Sequence, residues 1–230
     1  LEETWYFRWW VFRKHIKDTG RGRIITEFLP RVPWAGPYNS INGANGHHIA
    51  EARWLKQDRS LVREYLAFWL RGEGQETSYS SWLADTVYQY ALVSGEEALA
   101  VDFLLELVSF YESVEASNLT KYGLFWSYDD RDAMELSISG SGLRPTLNSY
   151  MYGNAAAIAV IAGWAEKEDI RELYNRKANY LRDKILKVLW DEKQKFFKVI
   201  PQNKRNDEIK EFRFERFAEG RNVMEEIGYI

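Results

Sequence analysis

A helical stretch with no charge, followed at once by one dense in charge, constrains this chain most. The run from Pro145 to Ala165, PTLNSYMYGNAAAIAVIAGWA, holds no Asp, Glu, Lys or Arg, whereas residues 166–193 hold fifteen. A helix without a wet face is covered on all sides, by protein or by lipid. Its length approaches the roughly 20 residues of a membrane span. Asn148, Ser149 and Asn154 lie within it, and polar groups of that kind are costly in hydrocarbon, so a buried core helix is expected and no membrane partner. The charged partner keeps an apolar stripe at Ile170, Leu173, Tyr174, the stem of Lys177, Leu181, Ile185, Val188 and Leu189. That spacing marks one buried face and one wet face.

The same pairing recurs upstream. Residues 78–94 carry a single charge, Asp85, and an amphipathic stretch follows to about Val114. A third pair is read from about Gly46 to Arg71, and a lone helix from about Thr4 to Lys17 precedes them all. Repeated at several tens of residues, a covered helix and a half-exposed one make stacked helical hairpins. An open solenoid would expose its inner helices to a groove. Chargeless inner helices favour a closed (α/α)6 toroid, all-α, with an inner ring of covered helices. Three hairpins are about half of such a ring. The chain is therefore expected to be one partial barrel domain over 1–230, truncated at both ends, with exposed inner-helix flanks that invite self-association.

Composition narrows the partners. A net charge of −3 and a pI near 5.8 argue against nucleic acid. The absence of Cys removes disulfides and thiolate metal sites. No cofactor is implied, and nothing in the chain assigns a compartment. Aromatics make up 16% of residues, enough for a large core and for sugar-stacking surfaces alike.

Two long irregular stretches interrupt the helices, 18–45 and 116–144. Loops of this length in a compact domain are usually functional. The second carries four acids in seven positions, Asp129, Asp130, Asp132 and Glu135, beside Phe125, Trp126 and Tyr128. Apolar neighbours and like charges both raise a carboxyl pKa, as a group that protonates a leaving oxygen requires. The bland alternative is a solvated acidic loop. Gly140-Ser141-Gly142 has no strand before it and no Lys-Ser/Thr after it, so it reads as a flexible loop rather than a phosphate cradle.

The order of covered helix, AMELS segment and LNSYMY helix resembles the (α/α)6-barrel glycoside hydrolases, in particular mannosylglycerate-hydrolase-like domains and glycoside hydrolase family 63. Those enzymes carry a Gly-Met/Leu/Trp-Asp motif ahead of an inner helix that begins near Asp-Leu-Asn-Ala. Ala133-Met134-Glu135 stands at the first motif and Thr146-Leu147-Asn148-Ser149 at the second. The resemblance is good over about 100–190. It implies an all-α toroid, a glycosidase acting on carbohydrate, Glu135 as general acid and Asn148 in the sugar pocket. Glu in place of Asp lengthens the acid's arm by one methylene. The family's general base lies in the last third of the barrel, beyond this chain.

An inverting glycosidase sets its carboxyls about 6.5–9.5 Å apart to admit a water. Loop-walled toroids favour an exo-acting pocket for short oligosaccharides or glycosides. Asp132 is the second candidate acid, or a hydroxyl acceptor. Arg144 is a hydroxyl or carboxylate clamp, or else a surface partner of the acidic loop. Trp34, Tyr38, Trp82 and Trp126 are candidate stacking platforms. Asn42 and His47 are candidate hydroxyl ligands; Asn39 either binds sugar or makes turns. His47 and His48 lack the spacing of a zinc site. Two other classes stay open: a non-catalytic helical-repeat interaction module, and an (α/α)6 sugar epimerase or polysaccharide lyase.

Overall fold

The computed structural model describes residues 1–56, 58–132 and 140–207. Its helices are α1 (Glu2–His15), α2 (Asn45–Ala52), α3 (Ser60–Arg71), α4 (Leu83–Ser94), α5 (Glu97–Asp102), α6 (Leu104–Asn118), α7 (Pro145–Trp164) and α8 (Glu168–Val188). The three expected hairpins are α2–α3, α4 with α5–α6, and α7–α8. In the second, the returning helix is broken at Phe103, a fully buried ring at the junction of α5 and α6.

The covered helices stand side by side, with α4 packed between α2 and α7. α7 is buried along most of its length, and its run of alanines lets α4 and α8 approach closely. No helix among the described residues is long and apolar enough to cross a membrane. α7 starts on Pro145, whose missing N–H costs nothing in the first turn. On α8, Tyr174, Ala178, Leu181 and Ile185 form the buried stripe against α7. Leu173, expected within that stripe, is instead 39% exposed, because the helix turns its face by one residue.

Short strands staple the long loops. β1 (Ile16–Asp18) and β2 (Arg23–Ile25) form an antiparallel hairpin in register Ile16↔Ile25. β3 (Trp126–Ser127), β4 (Gly142–Leu143) and β7 (Ile200–Pro201) form a three-stranded sheet in the order β3–β4–β7. β5 (Trp190–Asp191) pairs with β6 (Phe196–Phe197) in an antiparallel hairpin. Gly140-Ser141-Gly142 is not the flexible loop expected. Ser141 O accepts from Gln202 N, and its hydroxyl accepts from Asp129 N. A Cβ on Gly142 would lie 2.2 Å from Ile200 O, so only glycine lets β4 meet β7 here.

Candidate active site

Both long loops lead into the N-terminal ends of covered helices, and they gather at one end of the array. Ser80 N, just ahead of α4, donates to Arg131 O in the acidic loop at 2.9 Å. This bond brings the approach to α4 against the approach to α7.

Arg144 organises the acidic loop. Its side chain is 0% exposed, and so is that of Asp132, which accepts from Arg144 Nε at 2.7 Å. One terminal nitrogen of the guanidinium also donates to Asp129 Oδ1 at 3.1 Å and to Gly140 O at 2.6 Å. Asp132 and Gly140 flank residues 133–139, so one planar cation ties down both ends of that segment. Arg suits this task because its donors lie in a rigid fork. The surface ion pair considered for Arg144 is thus a buried one, and its guanidinium is turned into the fold. Glu135, the expected acid, lies outside the described residues.

Asn148 anchors the loop from behind. Its Oδ1 accepts from Phe125 N at 2.8 Å, and its Nδ2 donates to Phe125 O and Arg144 O, both at 2.8 Å. Both of its donors are therefore used within the framework. Asn42 does the same for the other loop. Its Nδ2 donates to Glu76 O and Tyr79 O, and its Oδ1 accepts from Tyr79 N and the Ser78 hydroxyl. Asn39 makes turns, at φ 59°, with Oδ1 accepting from Val32 N.

A cavity of about 490 Å³ opens beside the acidic loop. Tyr79, Trp126, Tyr128, Arg131, Leu147 and Met151 supply much of its wall. Trp126 meets Tyr128 edge to face at 4.5 Å and donates from Nε1 to Gln202 O. An adjoining crevice is walled by Trp34 and Tyr38 and shares Ser78, Tyr79 and Arg131 with the cavity. Trp34 is 62% exposed there, while the Tyr38 hydroxyl donates to Glu73. Tyr79 and Arg131 join the two spaces but had not stood out in the sequence; Arg131 is masked there by its acidic neighbours.

The two histidines that open α2 diverge. His47 is exposed and meets Trp82 edge-on at 4.9 Å. His48 turns the other way, towards the hydroxyl of fully buried Tyr65, 2.7 Å from Nδ1. Burial, with the nearby positive charge of His15 and His47, lowers the His48 pKa to about 4. Burial also raises the Tyr65 pKa, so the phenol stays protonated beside the imidazole. Among the described residues, no group of three His, Asp or Glu could hold a metal ion.

The described residues thus form a helix-rich array of hairpins with an aromatic-walled cavity beside a clamped acidic loop. The chain belongs to the mannosylglycerate hydrolase MGH1-like glycoside hydrolase domain family, whose model matches residues 37–230. A solved structure titled a sialidase is 36% identical, with a TM-score of 0.83 over 89% of this chain and 20% of that one. This chain thus spans about a fifth of the length of that protein. No curated relative matches.

Proposed function

We propose that the chain is the acid-bearing part of an inverting, exo-acting glycoside hydrolase whose substrates are short oligosaccharides or glycosides. Glu135 is the general acid, and the general base comes from outside these residues. The observation that carries this reading is the buried Arg144, which holds Asp132 and Gly140 on either side of the segment containing Glu135. A general acid must sit within hydrogen-bond reach of the leaving oxygen, and Asp132 and Gly140, on either side of the acid's segment, share one buried anchor. Trp34, 62% exposed, and Tyr38 in the adjoining crevice supply ring faces for the C–H faces of a sugar, while Trp126, 5% exposed, helps build the cavity wall. Asp132 serves the acid by anchoring its loop. Asn148 and Asn42 fix the walls.

In this reading the array is about half of an (α/α)6 toroid. Its inner helices carry exposed apolar residues, Leu92, Val93 and Val160, that a closed ring would cover. These 230 residues alone therefore self-associate through that face, and a monodisperse monomer by light scattering would contradict the half-ring.

The test is a panel of aryl glycosides and short oligosaccharides, with the product anomer followed by NMR. The expected outcome is inversion, and a loss of about 10²-fold or more in Glu135→Gln, which keeps the shape without the proton. Full activity in that variant would move the acid elsewhere. Cleavage of no glycoside would bring the interaction-module and epimerase or lyase readings forward.

A further inference from the structure

No residue of α1 is fully buried, although Trp5, Tyr6, Phe7, Trp9, Trp10 and Phe12 all lie on it. One face holds the helix to the body. Phe12 packs against the core, His15 Nδ1 lies 2.7 Å from the Thr26 carbonyl, and Arg8 pairs with Glu51. By the helical repeat, the opposite face carries Glu3, Tyr6, Trp10 and Arg13, at the alternating three- and four-residue spacing of a helix seam. Tyr6 and Trp10 are each more than half exposed, and so are Trp5 and Phe7 on the flanks. The four rings bare roughly 400 Å² of apolar surface, a patch of the size that marks an interaction face.

The charges on this helix are sorted by end. Glu2 and Glu3 occupy the first turn, Arg13 and Lys14 the last. None of these four enters an ion pair among the described residues; on α1 only Arg8 does. Lys14 lies over the Trp10 ring, 3.3 Å from its centroid. A helix that is acidic at one end, basic at the other and aromatic between is complementary to its own reverse. Laid antiparallel about a two-fold axis level with Arg8, Tyr6 meets the partner's Trp10. Glu2 and Glu3 then meet the partner's Arg13 and the partner's Lys14. Two-fold symmetry repeats every pair, so both ends are matched at once. A parallel arrangement would set acid on acid and base on base.

We propose that the outer face of α1 is the interface of an antiparallel two-fold dimer, its occupant a second copy of this chain. The rings of two copies together cover roughly 800 Å², and the stems of Arg13 and Lys14 bring the contact towards the roughly 1,200 Å² at which specific interfaces begin. Trp and Tyr at the centre with charges at the rim is the arrangement in which a few residues carry most of the binding. The contact shares no residue with the open inner-helix face at Leu92, Val93 and Val160, and it does not depend on the reaction the chain performs.

The test is sedimentation velocity at about 50 μM, a concentration at which an interface of this size is populated. It is run in a Val160→Glu background, which sets a charge on the inner-helix face and removes association there. A dimer is expected, and Trp10→Ala weakens it by about a hundredfold. Glu2→Lys with Glu3→Lys makes both ends of α1 basic, and Arg13→Glu with Lys14→Glu makes both acidic. Each of these chains alone dimerises about tenfold more weakly or worse, and mixing the two restores the dimer, which a mere folding defect would not allow. Because the chain has no Cys, an introduced thiol reports on the interface alone. An oxidised equal mixture of Glu3→Cys and Arg13→Cys gives mainly the mixed disulfide. Overturning results are a monomer at that concentration, which would give the face to a different partner, a dimer indifferent to Trp10→Ala, no rescue on mixing, or Glu3→Cys linked mainly to itself. Failure of the half-ring reading looks different: Val160→Glu would leave the assembly unchanged, while the α1 variants still dissociate it.

Discussion

The two long loops meet at one end of the helices, yet they are held by opposite means. The loop of residues 26–45 is pinned by neutral amides: Asn39 bridges its own turns, and Asn42 ties it to residues 76–79. Its flanking β1–β2 hairpin is held to α3 by Arg23 with Glu64 and Asp58, a cluster that water still reaches. The acidic loop is pinned by a fully buried ion pair. Burying a charge pair is often no more stabilising than apolar packing would be, but losing one partner is severe. Amides serve where a wall need only stay put. On the proposed function, the charged clamp stands at Asp132 and Gly140, the residues on either side of the general acid's segment.

Removal of one clamp partner has the largest expected effect. Asp132→Ala takes from the buried Arg144 guanidinium its fully buried carboxylate partner and should cost about 3–5 kcal/mol in urea unfolding. Asn42→Ala, in the amide-held loop, should cost only about 1–3 kcal/mol. Equal losses would erase the contrast between the loops.

His48 gives an effect of similar size that depends on pH. Its folded pKa of about 4 lies below the ordinary 6.5, so between these values the unfolded chain binds the proton more readily. Stability contributed by neutral His48 is present above pH 6.5, falls as pH drops, and levels off below about pH 4. The span corresponds to about 3 kcal/mol at 1.36 kcal/mol per pKa unit. Unfolding of His48→Gln across this range should show a correspondingly shallower slope; an unchanged slope would assign the pH dependence to other groups.

The glycines sharpen the same comparison. Gly142→Ala drives a methyl into the Ile200 carbonyl, against backbone that cannot swing away, and should cost about 1–3 kcal/mol. Gly36, in the first loop, has open space around it and only its φ of 65° to protect. Gly36→Ala should cost about 1 kcal/mol. Smallest of all is the exposed Glu172–Arg176 pair on α8, where Arg176→Ala should change stability by about 0.5 kcal/mol or less.

The helical hairpins were legible because they depend on periodicity and charge along one segment. Pro145–Ala165 announces a covered helix without reference to anything else in the chain. The break at Phe103 and the outward turn of Leu173 were not legible, since each depends on how a helix rolls against its neighbours. Among candidate site residues, residue type was a poorer guide. Asn148 and Asn42 carry the groups a sugar ligand needs, but main-chain groups far along the chain claim them first. Gly140-Ser141-Gly142 has the composition of a mobile loop, and β7, some sixty residues on, turns it into a strand. Arg144 beside an acidic run was rightly paired with that run, but its burial depends on the sheet and on α7 closing over it.

Leaving-group dependence shows whether the leaving oxygen receives its proton from Glu135, as proposed. The measurement compares kcat/KM of wild type and Glu135→Gln on an alkyl glycoside and on the 2,4-dinitrophenyl glycoside of the same sugar. A dinitrophenolate departs without protonation, so a variant lacking only the acid should lose about 10²-fold or more on the alkyl glycoside and less than about tenfold on the dinitrophenyl one. Equal losses on both substrates, or none on either, would contradict the assignment of Glu135 as general acid.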